Sequence, residues 1–366
     1  MTPVLLRFSE GAGNLSKFKA FLKRKNIEIS WKRYGIEALG AMAQGLFCSL
    51  LIGTIIGTIG SLTGFELFKQ IGGYTKDVSG VAMAVAIGYA LKADPMVLFS
   101  LATVGYAANS LGGAGGPLAV LIIAIIAAEF GKAVSKETKI DILVTPAVTI
   151  LIGVGLSALI AKPIGDAASA FGSLIKYATE LQPFLMGVTV SVLVGIALTL
   201  PISSAAICAA LSLTGLAGGA AVAGCCAQMV GFAVMSFKEN RWGGLVSQGL
   251  GTSMLQMPNI MKNPRVWIAP ILTSAITGPI ATCVFRLQMN GAAVNSGMGT
   301  CGLCGPIGVI TGWFTPPEGV AAITPGVMDW VGLVLICIVL PAVITPLINL
   351  IFRKIGWVKD GDLKLS

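Results

Sequence analysis

The chain has 366 residues, 55% of them hydrophobic and 11% charged, with a mean hydropathy of +0.86 and a formal net charge of +9. Soluble domains carry about 25% charged residues, so this composition excludes an ordinary soluble domain and marks a polytopic all-α membrane protein with room for about ten spans. There is no histidine, which excludes histidine catalysis, histidine phosphorylation and imidazole metal sites within the chain.

The positive charge does not suggest nucleic acid, because it gathers at the ends. Arg7, Lys17, Lys19, Lys23, Arg24, Lys25, Lys32 and Arg33 open the chain, and Arg353, Lys354, Lys359 and Lys364 close it. That bias predicts cytoplasmic termini and an even number of crossings. Residues 1–37 place Leu15, Phe18, Phe21 and Leu22 at helical spacing among lysines, which predicts a basic amphipathic segment on the cytoplasmic face; the alternative is a solvated tail. The first apolar span begins near residue 38, too far in for a secretory signal.

Residues 38–62 are the first predicted span. Gly53 and Gly57, four apart, allow a neighbouring backbone to come close. A wet loop is expected where Glu66, Lys69, Lys76 and Asp77 occur, then spans over 78–91, 96–110 and 117–130. The run Gly112-Gly113-Ala114-Gly115-Gly116-Pro117 breaks the last two. Lys132, Lys136 and Lys139 mark a cytoplasmic loop. Residues 142–160 lead outward, the more polar 161–183 are expected along the membrane surface, and 184–200 return. Two small-residue spans are predicted over 205–218 and 219–235, followed by 266–285 and 330–352.

Two stretches interrupt this pattern. Gly249-Leu250-Gly251-Thr252-Ser253-Met254-Leu255-Gln256-Met257-Pro258 and Gly297-Met298-Gly299-Thr300-Cys301-Gly302-Leu303-Cys304-Gly305-Pro306 both fit G-x-G-T-x-x-L-x-x-P. Glycine costs about 1 kcal/mol per helical position and proline about 3. In a membrane such backbone survives only where protein buries it or water reaches it. The parity of crossings works if 244–262 enters and leaves from the cytoplasmic face and 291–320 from the outer face, as two re-entrant hairpins. Paired, interrupted segments point to a transporter's binding site; the plainer alternative is that the glycines only let helices pack closely.

The hairpins and their exits supply uncharged donors and acceptors suited to a polar solute: Gln248, Thr252, Ser253, Gln256, Asn259, Asn295 and Thr300. Their alternative role is to hydrogen-bond one another. Glu318 is the acidic candidate for solute contact or proton coupling. No catalytic residue, cofactor or metal site is predicted. Cys301-Gly302-Leu303-Cys304 has redox-type spacing but lacks a βαβ context, and the eight cysteines read as small membrane-helix residues.

At Lys262-Asn263-Pro264-Arg265-Val266-Trp267-Ile268-Ala269-Pro270-Ile271, an Asn-Pro turn before an apolar run, the chain resembles the membrane IIC subunits of the sugar phosphotransferase system. The nearest likeness is to the EIIC-like branch that includes the perfringolysin regulatory membrane proteins, carried by residues 251–259 and 299–306. The resemblance implies a bacterial inner-membrane homodimer. Residues 38–183 would form the scaffold and dimer interface, 184–355 the substrate-binding unit, and 356–366 a cytoplasmic tail. It implies alternating-access transport of a sugar-like solute or small metabolite. Without histidine or fused IIA and IIB domains, phosphorylation of the solute is not expected. Two alternatives stay open: a transport-inactive sensor with a cytosolic protein partner, and a permease served by separate IIA and IIB proteins.

Overall fold

The computed structural model describes residues 19–314 and 324–365, and its described residues are built from helices joined by tight turns. The basic N-terminal segment falls partly outside the described residues; it is helical over 19–24, and Arg24 and Lys25 reach Glu137. The first long helix, α1, spans Lys32–Thr63. It stops at Gly64, whose φ of 74° lies in the left-handed region that closes helices and that only glycine adopts at no steric cost.

The chain then folds straight back as α2, Glu66–Asp77, and α3, Ser79–Ala90, packed along α1. The wet loop expected over 66–77 is therefore a helix. Gly53 is the reason it lies so close: a methyl group there would sit 1.5 Å from Thr75 Oγ1. Gly57 faces the Gly72 backbone in the same way, so the predicted glycine face is a helix–helix contact.

Helices α4, Pro95–Gly112, and α5, Gly116–Val134, form an antiparallel pair. Gly113, at φ 49°, makes the predicted break between them. Their far ends are tied where Asp94 accepts hydrogen bonds from Ser135 Oγ (2.9 Å) and Lys136 Nζ (2.7 Å). Next, α6 runs unbroken over Asp141–Thr179, through one widened turn at 157–161. The expected change at residue 161 to a separate surface segment is not a break in the helix.

Helix α7, Pro183–Thr199, and α9, Gly215–Met235, run parallel, since Ser191 lies on Gly224 and Thr199 bonds Gln228. Parallel neighbours need a return connection. Gln228 is about 20 Å along α9 from Gly215 at 1.5 Å per residue, and residues 200–214 climb that distance. They do so as a short helix, α8, Ser204–Ala210, followed by left-handed Ser212 and Gly215. The expected continuous span over 205–218 is thus a broken limb, with Ser203 Oγ capping α8 through the Ala206 N–H.

After α9 come α10, Phe237–Val246, the first interrupted stretch, and α11, Met257–Lys262. Then follow α12, Pro264–Val284; the second interrupted stretch with α13, Cys304–Phe314; and α14, Val327–Lys354. Among the described residues six helices are long and apolar enough to cross a membrane: α1, α4 with α5 counted together, α6, α9, α12 and α14; three shorter apolar helices accompany them. Helix α9 is the central element, almost wholly buried. Residues 32–38 pack on α11, and Asn259 of α11 bonds Lys364 O, so both ends of the described chain meet at the same end of the molecule.

Candidate functional site

The two G-x-G-T-x-x-L-x-x-P stretches approach α9 from opposite ends. The first starts beside the last turn of α9, where Gln248 Nε2 donates to Ser236 Oγ (3.0 Å). It rises to Ser253, whose hydroxyl pairs with that of Thr199 (2.8 Å), and descends to Asn259 and Asn263. Thr252 turns the peak by accepting the Met254 N–H through its own side chain (3.1 Å). The second stretch starts beside the first turn of α9, where Ser296 Oγ donates to Leu213 O (2.6 Å) and Gly215 and Met289 exchange backbone bonds. It comes down to Gly299, at φ 53°, against Cys225 and Cys226, and returns until Gly312 lies on Asn290.

The tips touch. Thr300 Oγ1 donates to Gly249 O at 2.5 Å, and its second contact is the sulfur of Met229 (3.7 Å), beyond the middle of α9. Nearby sits Gln228, fully buried. Its Oε1 accepts from Trp267 Nε1 (2.9 Å) and Thr199 Oγ1 (3.3 Å), while Nε2 donates to Ser274 Oγ (3.3 Å). Gln228 is not among the residues predicted from sequence. Its signal is that it is the one amide in an otherwise small and apolar 21-residue helix.

Gln248, Gln256 and Asn259 come together as a chain of amides. Gln256 Nε2 donates to Gln248 Oε1 (2.8 Å), and Asn259 Nδ2 donates to Gln256 Oε1 (2.8 Å). Their remaining donors are also used. Gln248 reaches Gly244 O (2.9 Å), Gln256 reaches Leu363 O (3.0 Å), and Asn259 reaches Lys364 O (2.9 Å). Each amide nitrogen has two N–H groups, so all three are saturated. Asn263 Nδ2 holds Trp357 O and Asp362 Oδ2, and Asn240 pairs with both Leu363 O and the Leu365 N–H. The C-terminal segment 357–365 is thus a strap lying across the first interrupted stretch, with Val358 and Leu363 buried beneath it.

The predicted residues do not line a single cavity. Asn259 borders a mainly apolar groove of about 780 Å³ between α1, α3 and α11. Thr252 lines a small internal space near the tips. Asn295 opens onto a third cavity, of about 620 Å³, between the second stretch and the α1–α2 pair. That cavity also carries Thr54, Thr58 and Ser61 from the first predicted span, and Lys69 and Lys76, expected in a wet loop. Glu318 lies outside the described residues. Among the described residues no group of three or more Cys, Asp or Glu side chains converges as metal ligands.

At the end shared by the chain termini, charge is paired. The Lys136 hydrogen bond holds the Asp94 carboxyl below the usual carboxylate range, and the Lys25 ammonium does the same for Glu137. The Lys238 ammonium similarly lowers Asp360 in the strap, and Arg353 bridges Asp360 and Glu239.

Long apolar helices around a buried central helix, with two interrupted segments meeting beside it, define an integral membrane protein. The family profile for the phosphotransferase system, EIIC, matches residues 36–365, and the chain belongs to that family. No curated protein and no solved structure matches the chain.

Proposed function

We propose that this EIIC-family protein is a multi-pass transporter of a small polar solute, working by alternating access and without phosphorylating its cargo. The observation that carries this reading is the meeting of the two interrupted stretches at Thr300 and Gly249, each entering from its own end of α9. In a bilayer these are re-entrant hairpins from opposite faces, a device that puts half-helix ends and free backbone near the midplane. Counting the α2–α3 return and the broken limb at 200–214 as crossings gives ten, which agrees with chain ends at one face. We place that face in the cytoplasm of a bacterial inner membrane, from the basic termini.

Within this reading Asn295 and Glu318 contact the solute from the outer hairpin, with Thr252, Ser253 and Thr300 at the tips. Gln248, Gln256 and Asn259 reach solute only in a state where the C-terminal strap has moved off them. Residues 38–183 form the scaffold of a homodimer and 184–355 the moving unit, and the motifs at 251–259 and 299–306 favour the perfringolysin-regulator-type branch. The strap supports a second reading, a sensor whose hairpin amides are permanently occupied. Purified protein in proteoliposomes, without phosphoenolpyruvate or soluble phosphotransferase proteins, separates the two. Saturable uptake from a panel of sugars, sugar acids and small metabolites is expected. Uptake equal to that of empty vesicles across the panel would leave the sensor reading, and uptake only with phosphoenolpyruvate would restore a phosphotransferase permease.

A further inference from the structure

The cavity between α1, α2 and the second interrupted stretch has a chemistry of its own. Gly53, Gly57, Gly72 and Gly73 border it, the first three from the close α1–α2 contact. About 620 Å³ is within the range of small-molecule sites. One wall is a ladder of hydroxyls on α1. Thr54 Oγ1 donates to Leu50 O (2.7 Å), Thr58 Oγ1 to Thr54 O (2.8 Å) and Ser61 Oγ to Gly57 O (3.0 Å). Each hydroxyl has one proton and two lone pairs. With the protons turned back into the helix, the Thr54 and Ser61 oxygens offer acceptors to whatever fills the cavity, and Thr58 Oγ1 keeps one lone pair besides its contact with Cys304 Sγ (3.5 Å).

The opposite groups are donors. Among the described residues the Asn295 amide makes no side-chain hydrogen bond, and the Lys76 ammonium has no ion-pair partner. Lys69, the other cation on this wall, is held by Glu66 at 3.1 Å. No carboxylate is among the described lining residues; Asp77, next to Lys76, does not line the cavity. A row of acceptors facing a free amide and an unneutralised ammonium selects a molecule with several hydroxyls and one negative group.

We propose that this cavity binds a small polyhydroxylated anion, a sugar acid or sugar phosphate, with Lys76 as its cationic contact and the Thr54–Thr58–Ser61 ladder reading its hydroxyls. The assignment rests on the transport reading and narrows its substrate class. In the two-state picture the site lies between scaffold and moving unit, so its walls separate when the moving unit shifts.

The test uses matched probes on the full chain in phospholipid-free detergent: D-glucose against D-glucuronate and glucose 6-phosphate, with thermal stabilisation as readout, and the same compounds in proteoliposome uptake. The acidic probes are expected to act at concentrations at least 10-fold lower than glucose. Lys76→Gln should remove that preference, and Lys76→Arg should keep it. A ligand-independent measurement runs alongside. In Ser61→Cys, a sulfonate-bearing methanethiosulfonate should modify residue 61 at least 10-fold faster than a trimethylammonium-bearing one, read by peptide mass spectrometry, and Lys76→Gln should equalise them. Equal rates in the Lys76 protein overturn the proposal even if no probe in the panel fits. Uptake of neutral sugars with no acid preference overturns it while leaving transport intact. Absence of uptake for every probe, with equal labelling rates, overturns both. Stabilisation by phosphatidylglycerol alone, with neither soluble acid effective, overturns it in favour of a lipid headgroup.

Discussion

Gln256→Ala is the substitution whose effect follows most directly from geometry. Gln256 is fully buried, and its side chain makes three hydrogen bonds: to Gln248 Oε1 (2.8 Å), to Leu363 O (3.0 Å) and from Asn259 Nδ2 (2.8 Å). Only the Leu363 bond joins hairpin to strap directly, but Asn259, freed on one side, loses the support that aims it at Lys364 O. A hydrogen bond contributes about 1 kcal/mol net. Loss of one and loosening of a second lowers the free energy of strap release by about 2 kcal/mol, or about 30-fold in population, since every 1.4 kcal/mol is tenfold. Amide hydrogen exchange reads this local opening. The Leu365 N–H, held by Asn240 Oδ1 at 2.8 Å, reports on the strap without touching Gln256. Its exchange should accelerate about 30-fold in the variant while the middle of α9 stays protected. Wild-type exchange at 357–365 would refute the reasoning, because the strap would then be held by something other than the hairpin amides.

Other perturbations have equally definite outcomes. Gly53→Ala puts a methyl 1.5 Å from Thr75 Oγ1 and should destabilise by about 1–3 kcal/mol; Gly73→Ala, inside α2 with nothing within 4 Å, should instead raise the melting temperature slightly, by up to about 1 kcal/mol of stability. Gln228→Leu strands the Trp267 N–H, whereas the Thr199 and Ser274 hydroxyls keep partners at Ser253 Oγ and Pro270 O, and should destabilise by about 1–3 kcal/mol for the one group left unpaired in the interior, read as a lower melting temperature. Because Asp94 has its pKa depressed in the folded protein, its stabilising contribution is present above its unfolded value of about 4 and is lost as pH falls through the lower folded value. The stability difference between wild type and Asp94→Asn should therefore be constant from pH 5 to 8 and shrink on further acidification, as thermal melts across that range will show.

How far the sequence carried these conclusions differs from element to element. The Gly53/Gly57 face, the Gly112–Gly116 break and the two G-x-G-T-x-x-L-x-x-P stretches were legible because glycine acts through its missing side chain, at positions fixed by local geometry. Helix α2 was missed because Glu66, Lys69, Lys76 and Asp77 gave it a polar average, although its inner edge is Gly72 and Thr75 packed on α1. The broken limb at 200–214 was read as a span because its alanines and leucines are as apolar as those of a true span; only Ser212 and Gly215, both left-handed, betray it.

The strap was illegible for another reason. Its grip on Asn240, Gln256 and Asn259 is through backbone oxygens at Leu363 and Lys364, and no side-chain pattern encodes those. What remained visible was a charged tail. For the candidate site, the amides Gln248, Gln256 and Asn259 do come together, and their mutual bonding, the alternative weighed from sequence, is what the structure displays. The uncommitted polar groups lie elsewhere, where Asn295 faces helices from the other half of the chain. Such a cavity depends on tertiary assembly and leaves no local signature.

The central claim is that the two interrupted stretches enter the membrane from opposite faces and meet beside α9. Sided thiol labelling tests it most directly. Ser247→Cys on the first stretch and Val294→Cys on the second, each in oriented vesicles, are treated with a membrane-impermeant maleimide and read by peptide mass spectrometry so that native cysteines are counted separately. Position 294 is expected to label only from the outer face and position 247 only from the cytoplasmic face. Labelling of both from one face would contradict the opposed hairpins, and with them the ten-crossing topology and the proposed site.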